Sequence, residues 1–222
     1  MKAAVVTFPG SNCDDDCSYA LKIAEFEVTK LWHLDVPDLS PYQLVVLPGG
    51  FSYGDYLRSG AIAALSPIIT AVSAYSERGG LVLGSCNGFQ ILCEAKLLPG
   101  ALARNAGLLF RCHDVPLRVE TNDSPWTCDF GPLETFSLPI AHGEGRYVIL
   151  PSEAEKMREK GQVLLTYCDN PNGSYDGIAG ISNERKNVFG LMPHPERATD
   201  LRSQSGKKIW GSIRRFLEGR SK

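Results

Sequence analysis

Residues Leu81 to Gln90 read L-V-L-G-S-C-N-G-F-Q, an apolar run that stops at a glycine and sets one cysteine before a second glycine. A short continuous apolar run of this kind predicts a strand buried on both faces, which in turn calls for a sheet with helices on either side. The G-x-C-x-G that follows is the pattern of a nucleophile elbow, a tight strand-to-helix turn that lifts a reactive side chain to the top of such a sheet. Gly84 and Gly88 keep side chains out of the crowded turn. Cys86 then falls at a helix N-terminus, where free N–H groups and the helix dipole favour a thiolate.

The rest of the first half repeats the alternation. Ala3 to Phe8 reads as a strand, Asp15 to Glu25 as a helix, Glu27 to Trp32 and Leu44 to Leu47 as strands, and Ser59 to Ser76 as a helix broken early by Pro67. Cys86 to Ala95 is the helix behind the elbow. The expected fold is therefore α/β, with a mostly parallel central sheet covered by helices on both faces. The middle of the chain is different. Leu108 to Glu120, Trp126 to Phe136 and Pro139 to Ile149 are β-rich and turn-rich and predict an antiparallel extension, with Gly143 and Gly145 interrupting the last segment. A short helix (Glu153 to Lys160), strands at Val163 to Tyr167, Gly177 to Ser182 and Val188 to Leu191, and a helix from Lys207 to Leu217 complete the pattern. With 222 residues and no Gly/Ser or charged linker, residues 1–222 read as one domain.

Charge and cysteine content narrow the function. A net charge of −2, from 23 basic and 25 acidic residues, gives no field for nucleic acid. The basic cluster Arg214, Arg215, Arg220 and Lys222 closes the C-terminal helix and reads as a solvated end. The N-terminal apolar run is too short for a signal peptide or a membrane span. Seven cysteines without C-x-x-C pairing or zinc-site spacing read as reduced thiols of a cytoplasmic protein, with no metal.

A thiol at an elbow needs a base, and the base needs an orienting partner. Of the four histidines, His33 and His113 lie in ordinary strand contexts. His142 stands among glycines in A-H-G-E-G-R, and His194 stands in L-M-P-H-P-E-R after a buried strand. Two prolines stiffen that last segment, and in an extended backbone residues two apart face one side, so Glu196 is expected on the ring of His194. Cys86, His194 and Glu196 thus form a candidate Cys-His-Glu triad. The Asn87 N–H is one natural oxyanion donor, and Pro48-Gly49-Gly50 offers a second at Gly50 or Phe51.

These segments, together with F-P-G-S-N-C-D (Phe8 to Asp14), G-G-F-S-Y-G-D-Y-L-R (Gly49 to Arg58), L-L-P-G-A-L (Leu97 to Leu102) and N-P-N-G-S (Asn170 to Ser174), resemble the triad (class I) glutamine amidotransferases. Within that family they are most similar to the glutaminase subunits of de novo purine synthesis. The resemblance covers about residues 8 to 197. It implies a flavodoxin-like fold, with Cys86 as nucleophile, His194 as base and acid, and Glu196 as its orienter. It places Phe51, Gln90, His142, Gly143 and Glu144 around the glutamine head group. It further implies that ammonia passes to a large ATP-dependent synthetase subunit, which converts formylglycinamide ribonucleotide to its amidine, with a small third subunit in the split form. No Walker-type loop is present, so ATP and magnesium are expected on the partner and no cofactor on this chain. Two positions depart from the family pattern: Ser85 stands where valine is usual in the elbow, and Ser59 where cysteine is usual. Glutaminase subunits serving other synthetases share the triad, and a redox or chaperone protein with a cysteine elbow is the reading from a different class. Cys13 is a second candidate reactive thiol, with helix capping by its neighbours the plainer account.

Overall fold

Successive residues of a strand point to opposite faces, and here both faces are buried. In a computed structural model, which describes residues 1–200 and 203–220, Ala3 and Val5 pack on one side of the sheet and Ala4 and Val6 on the other. Along the chain the elements are β1 (Lys2–Thr7), α1 (Asp14–Ile23), β2 (Glu27–Trp32), β3 (Leu44–Leu47), α2 (Pro67–Glu77), β4 (Leu81–Ser85), α3 (Asn87–Glu94), β5 (Ala101–Ala103) and β6 (Arg111–Val119). They continue as β7 (Thr135–His142), β8 (Arg146–Val148), α4 (Pro151–Glu159), β9 (Val163–Tyr167), β10 (Ile178–Ser182), β11 (Val188–Leu191) and α5 (Lys207–Arg220).

Nine strands form one sheet in the order β2-β1-β3-β4-β11-β10-β9-β6-β7. The first five are parallel, in the 2-1-3-4-5 order of flavodoxin-like folds. The other four pairings are antiparallel, so the expected extension is no appendage: it continues the central sheet through β10, β9, β6 and β7. One apolar layer joins the sheet to α1 and α5 through Leu21, Trp210 and Ile213, and the opposite layer joins it to α2 and α3 through Val72, Phe89 and Leu92.

Three expectations are corrected. The stretch expected as a helix over Ser59 to Ser76 is α-helical only from Pro67: Ala63–Leu65 is a 3-10 turn, Ser66 is extended, and Pro67 begins α2, where its missing N–H is one the first helical turn leaves unpaired. Residues 126–134 are turns rather than strand, with Trp126 fully buried and its indole donating to the Lys186 carbonyl (2.8 Å). Arg214 and Arg215 are not simply solvated, because they pair with Glu25, Glu218 and Asp129. Lys222 lies outside the described residues.

The elbow has the strain that its sequence implies. Cys86 holds φ +48° and ψ −104°, a backbone state that a side-chain-bearing residue rarely adopts. Its N–H donates to the Leu191 carbonyl (2.8 Å), fixing the turn to β11. A Cβ on Gly84 would stand 2.6 Å from Gly88 backbone, and one on Gly88 only 1.9 Å from the Leu47 carbonyl oxygen. Backbone cannot yield as a flexible side chain can, so Gly88→Ala is expected to cost about 3 kcal/mol or more. Chemical denaturation measures this, and a loss below about 1 kcal/mol would show that α3 shifts without strain.

Candidate active site

Four neighbouring parallel strands deliver the expected residues to one place. The carboxyl end of β1 leads to Cys13, that of β3 to Gly49 and Gly50, that of β4 to Ser85 and Cys86, and that of β11 to His194. This is the edge at which open α/β sheets bind ligands. A cleft of about 140 Å³ lies there, lined by Asn12, Cys13, Gly50, Phe51, Cys86, Phe110, Ala141, His194 and Arg197. Larger clefts of about 380 and 510 Å³ lie elsewhere and contain none of these groups.

His194 and Glu196 are both buried, and the imidazole Nδ1 lies 2.7 Å from the carboxylate Oε1. The contact expected from P-H-P-E is present, but the geometry behind it differs. Pro195–Arg197 is a single 3-10 turn rather than extended chain, and that turn folds Glu196 back onto the ring. Burial alone would lower the proton affinity of His194. The charges of Glu196 and Cys86, with Cys13 beside the ring, outweigh it and hold the imidazole well above its ordinary value. Its Nε2 is buried and has no hydrogen-bond partner among the described residues. Because Nδ1 faces Glu196, Nε2 is the nitrogen available for proton transfer in the cleft.

The Asn87 N–H opens α3, where first-turn amides have no intrahelical acceptor. Its side chain accepts from the Ser52 N–H (3.2 Å) and donates to Gln90 Oε1 (2.8 Å), tying the elbow to the loop after β3. Of the two donors considered after β3, the Phe51 N–H is taken by the Gly10 carbonyl (3.0 Å), which leaves Gly50. Gly50 sits at φ +146°, with its would-be Cβ 2.8 Å from the Ser11 Cα, so no other residue fits there.

The residues expected around the glutamine head group divide in two. Phe51 lines the cleft directly. Gln90 donates to the Glu144 carbonyl (2.7 Å), and the Glu144 carboxylate accepts from the Ser59 hydroxyl (2.9 Å), which ties the 142–145 loop to α3 and to the loop before α2. The Gly143 carbonyl accepts from the Asn105 N–H. The His142 ring is turned inward, between Asn105 Oδ1 (3.1 Å from Nδ1) and Asn172 Nδ2 (3.5 Å from Nε2). Burial pushes it down to about 4, so it is neutral, with Nδ1–H donating to Asn105 and Nε2 accepting from Asn172. Its side chain braces the loop.

Sequence reasoning missed the bracing pair. Asn105 is 1% exposed and also accepts from the Gly145 N–H (3.0 Å), so it is an internal strut. Asn172, on the N-P-N-G turn, donates to the Gly145 carbonyl (2.8 Å). The N-P-N-G-S block carried that signal, but nothing local shows where its amide points. His33 and His113 lie away from the cleft. His33 is buried among Phe8, Trp32 and Tyr53, and His113 is exposed on β6.

Cys13 occupies the N-cap of α1 without capping it, and neither Ser11, Asn12 nor Asp14 does so. Its sulfur instead lies 3.9 Å from His194 Nδ1 and 3.0 Å from an Arg197 guanidinium nitrogen. Burial pushes the Cys13 thiol up, so it stays protonated. The donor atoms of Cys13, His194 and Glu196 lie within 4.8 Å of one another, close enough for a metal ion. The Arg197 charge stands where such a cation would add its own, and the carboxylate already bonds the ring, so the group suits proton transfer better.

A strained cysteine elbow thus faces a His-Glu pair on the carboxyl edge of a 2-1-3-4-5 sheet. The chain belongs to the family described as the CobB/CobQ-like glutamine amidotransferase domain, which matches residues 1–213. It is 53% identical over 223 residues to phosphoribosylformylglycinamidine synthase subunit PurQ of Alkaliphilus metalliredigens, covering 99% of this chain and 98% of that one. It is 52% identical over 219 residues to the protein of the same name from Rubrobacter xylanophilus, covering 99% of each. Among solved structures it resembles a chain of PurLQS from Thermotoga maritima, with 48% identity, a TM-score of 0.91, and coverage of 98% and 100%.

Proposed function

We propose that this chain is the glutaminase subunit of a phosphoribosylformylglycinamidine synthase. It hydrolyses glutamine to glutamate and ammonia and delivers the ammonia to a synthetase subunit, which converts formylglycinamide ribonucleotide to formylglycinamidine ribonucleotide. The relatives are named as a subunit of that synthase, and the Thermotoga maritima structure is of a PurLQS assembly. The whole chain serves as one catalytic unit. ATP and magnesium belong to the large partner, and a small third subunit completes the assembly. Free thiols at all seven cysteines accord with a cytoplasmic setting, and no helix among the described residues is long and apolar enough to cross a membrane.

The observation that carries the site assignment is the divided imidazole of His194, one nitrogen held by Glu196 and the other buried and open to the cleft. As the Cys86 sulfur attacks the carboxamide carbon of glutamine, its proton passes to His194 Nε2, and the charge that develops on oxygen meets the N–H groups of Asn87 and Gly50. The His194 imidazolium then gives its Nε2 proton to the departing nitrogen, so that ammonia leaves and a glutamyl thioester remains. Water, deprotonated by the same nitrogen, attacks the thioester carbon; the C–S bond breaks, glutamate leaves, and the sulfur regains its proton from Nε2. Phe51, Gln90 and the braced loop of His142, Gly143 and Glu144 shape the pocket for the substrate.

The exposed apolar residues beside the cleft suit the partner surface. Tyr56 and Leu57 on one loop are 75% and 83% exposed, and Leu108, Leu109 and Phe110 crown another. Tyr53, Asp55 and Leu57 hold positive φ, so the first loop stores strain that docking can release.

A chloroketone analogue of glutamine is expected to alkylate Cys86, with glutamine protecting it, and to leave Cys13 unmodified. Peptide mass spectrometry reads both sites. Glutamine-protected labelling at Cys13 instead would move the nucleophile to α1.

A further inference from the structure

The strand that presents the nucleophile also reaches the carboxylate behind the base. Ser85, one residue before Cys86, is fully buried, and its hydroxyl lies 3.0 Å from Glu196 Oε1 and 2.9 Å from Oε2. Oε1 also accepts from His194 Nδ1 at 2.7 Å. The Glu196 side chain is wholly buried, so no solvent reaches the carboxylate, and a buried anion demands donors for its oxygens. The Ser85 hydroxyl supplies Oε2 with one.

We infer that Ser85 is a positioning residue that acts through Glu196, holding the carboxylate and drawing off part of its charge, so that one strand sets both the thiol and the strength of its base. A hydrogen bond to a carboxylate spreads its negative charge and weakens its hold on a neighbouring imidazolium. The shared strand also fixes the distance, because any shift of β4 carries Cys86 and the carboxylate anchor together. The charged and titratable groups around the His194–Glu196 pair are Cys86 from the elbow, Cys13 and Cys17 from α1, His142 from β7, and Arg197 on the same turn with Asp16 opposite it. None of them replaces a neutral donor, and a valine at this position would leave Oε2 without the hydroxyl.

This inference rests on the reading of Cys86, His194 and Glu196 as the working triad. Its test is the pH profile of glutamine-dependent kcat/KM, measured with the synthetase partner present, for Ser85→Ala, Ser85→Val and Ser85→Thr. Valine and threonine are close in shape, so their difference isolates the hydroxyl, and alanine removes it without adding bulk. Loss of the hydroxyl leaves the whole carboxylate charge on His194. The acid limb is therefore expected to move to higher pH by about half a unit in the alanine and valine variants, with kcat/KM about tenfold lower. The threonine variant should keep the parent limb. An unmoved limb in Ser85→Ala would overturn the inference, as would a limb in Ser85→Thr shifted as far as in Ser85→Val. Cys86→Ala, run alongside, separates the two failures: glutaminase activity within about tenfold of the parent there refutes the triad itself, whereas its loss with an unmoved Ser85→Ala limb refutes only the role of Ser85.

Discussion

Replacing Cys86 by alanine is expected to lower glutamine hydrolysis by about 10⁴-fold or more while leaving synthesis driven by added ammonia close to the parent rate. The substitution removes only the sulfur. The left-handed turn, the bond from residue 86 to the Leu191 carbonyl and the packing of α3 on β4 do not depend on it. Cys13 offers no rescue, although it lies in the same cleft. Its sulfur approaches His194 on the Nδ1 side, which Glu196 already occupies, and burial keeps it protonated. Glutamate release and ammonium-dependent turnover of the assembled complex, measured side by side, check both halves. Hydrolysis within tenfold of the parent would remove Cys86 as nucleophile. Loss of the ammonia-driven rate as well would show that the elbow serves docking.

Glu196→Gln is expected to lower kcat about a hundredfold without abolishing it, because an amide keeps the shape but not the charge. Burial opposes a proton on His194, and the carboxylate is the chief group holding it there. With the charge gone, the imidazolium is less stable, so the acid limb of the profile moves to lower pH. Loss of the Ser85 hydroxyl is expected to move the same limb upward. Both substitutions act through one carboxylate, in opposite senses, and a general loss of packing would not give that pair of signs. A kcat unchanged in Glu196→Gln would take the residue out of the triad.

The elbow was legible in the sequence because its demands are local. Only glycine fits where Gly88 meets the Leu47 carbonyl, and only a buried strand reads L-V-L before such a turn. The His-Glu contact was legible too, although a 3-10 turn makes it rather than extended chain. The inward turn of His142 was not legible, since its partners Asn105 and Asn172 lie 37 and 30 residues away.

By itself, then, the sequence determined the alternation of buried strands and helices, the strained cysteine turn, and the kind of base that could serve it. Each follows from the packing and backbone limits of a few neighbouring residues. Tertiary structure decided what meets across the sheet. It set the antiparallel strands in line with the parallel ones, spent the Phe51 amide on Gly10, brought Cys13 to the far nitrogen of His194, and laid the Ser85 hydroxyl against Glu196, 111 residues further along the chain. The physical reason is register. Strands β4 and β11 pair Ser85 with Leu191, and the turn after β11 brings Glu196 back over the end of β4.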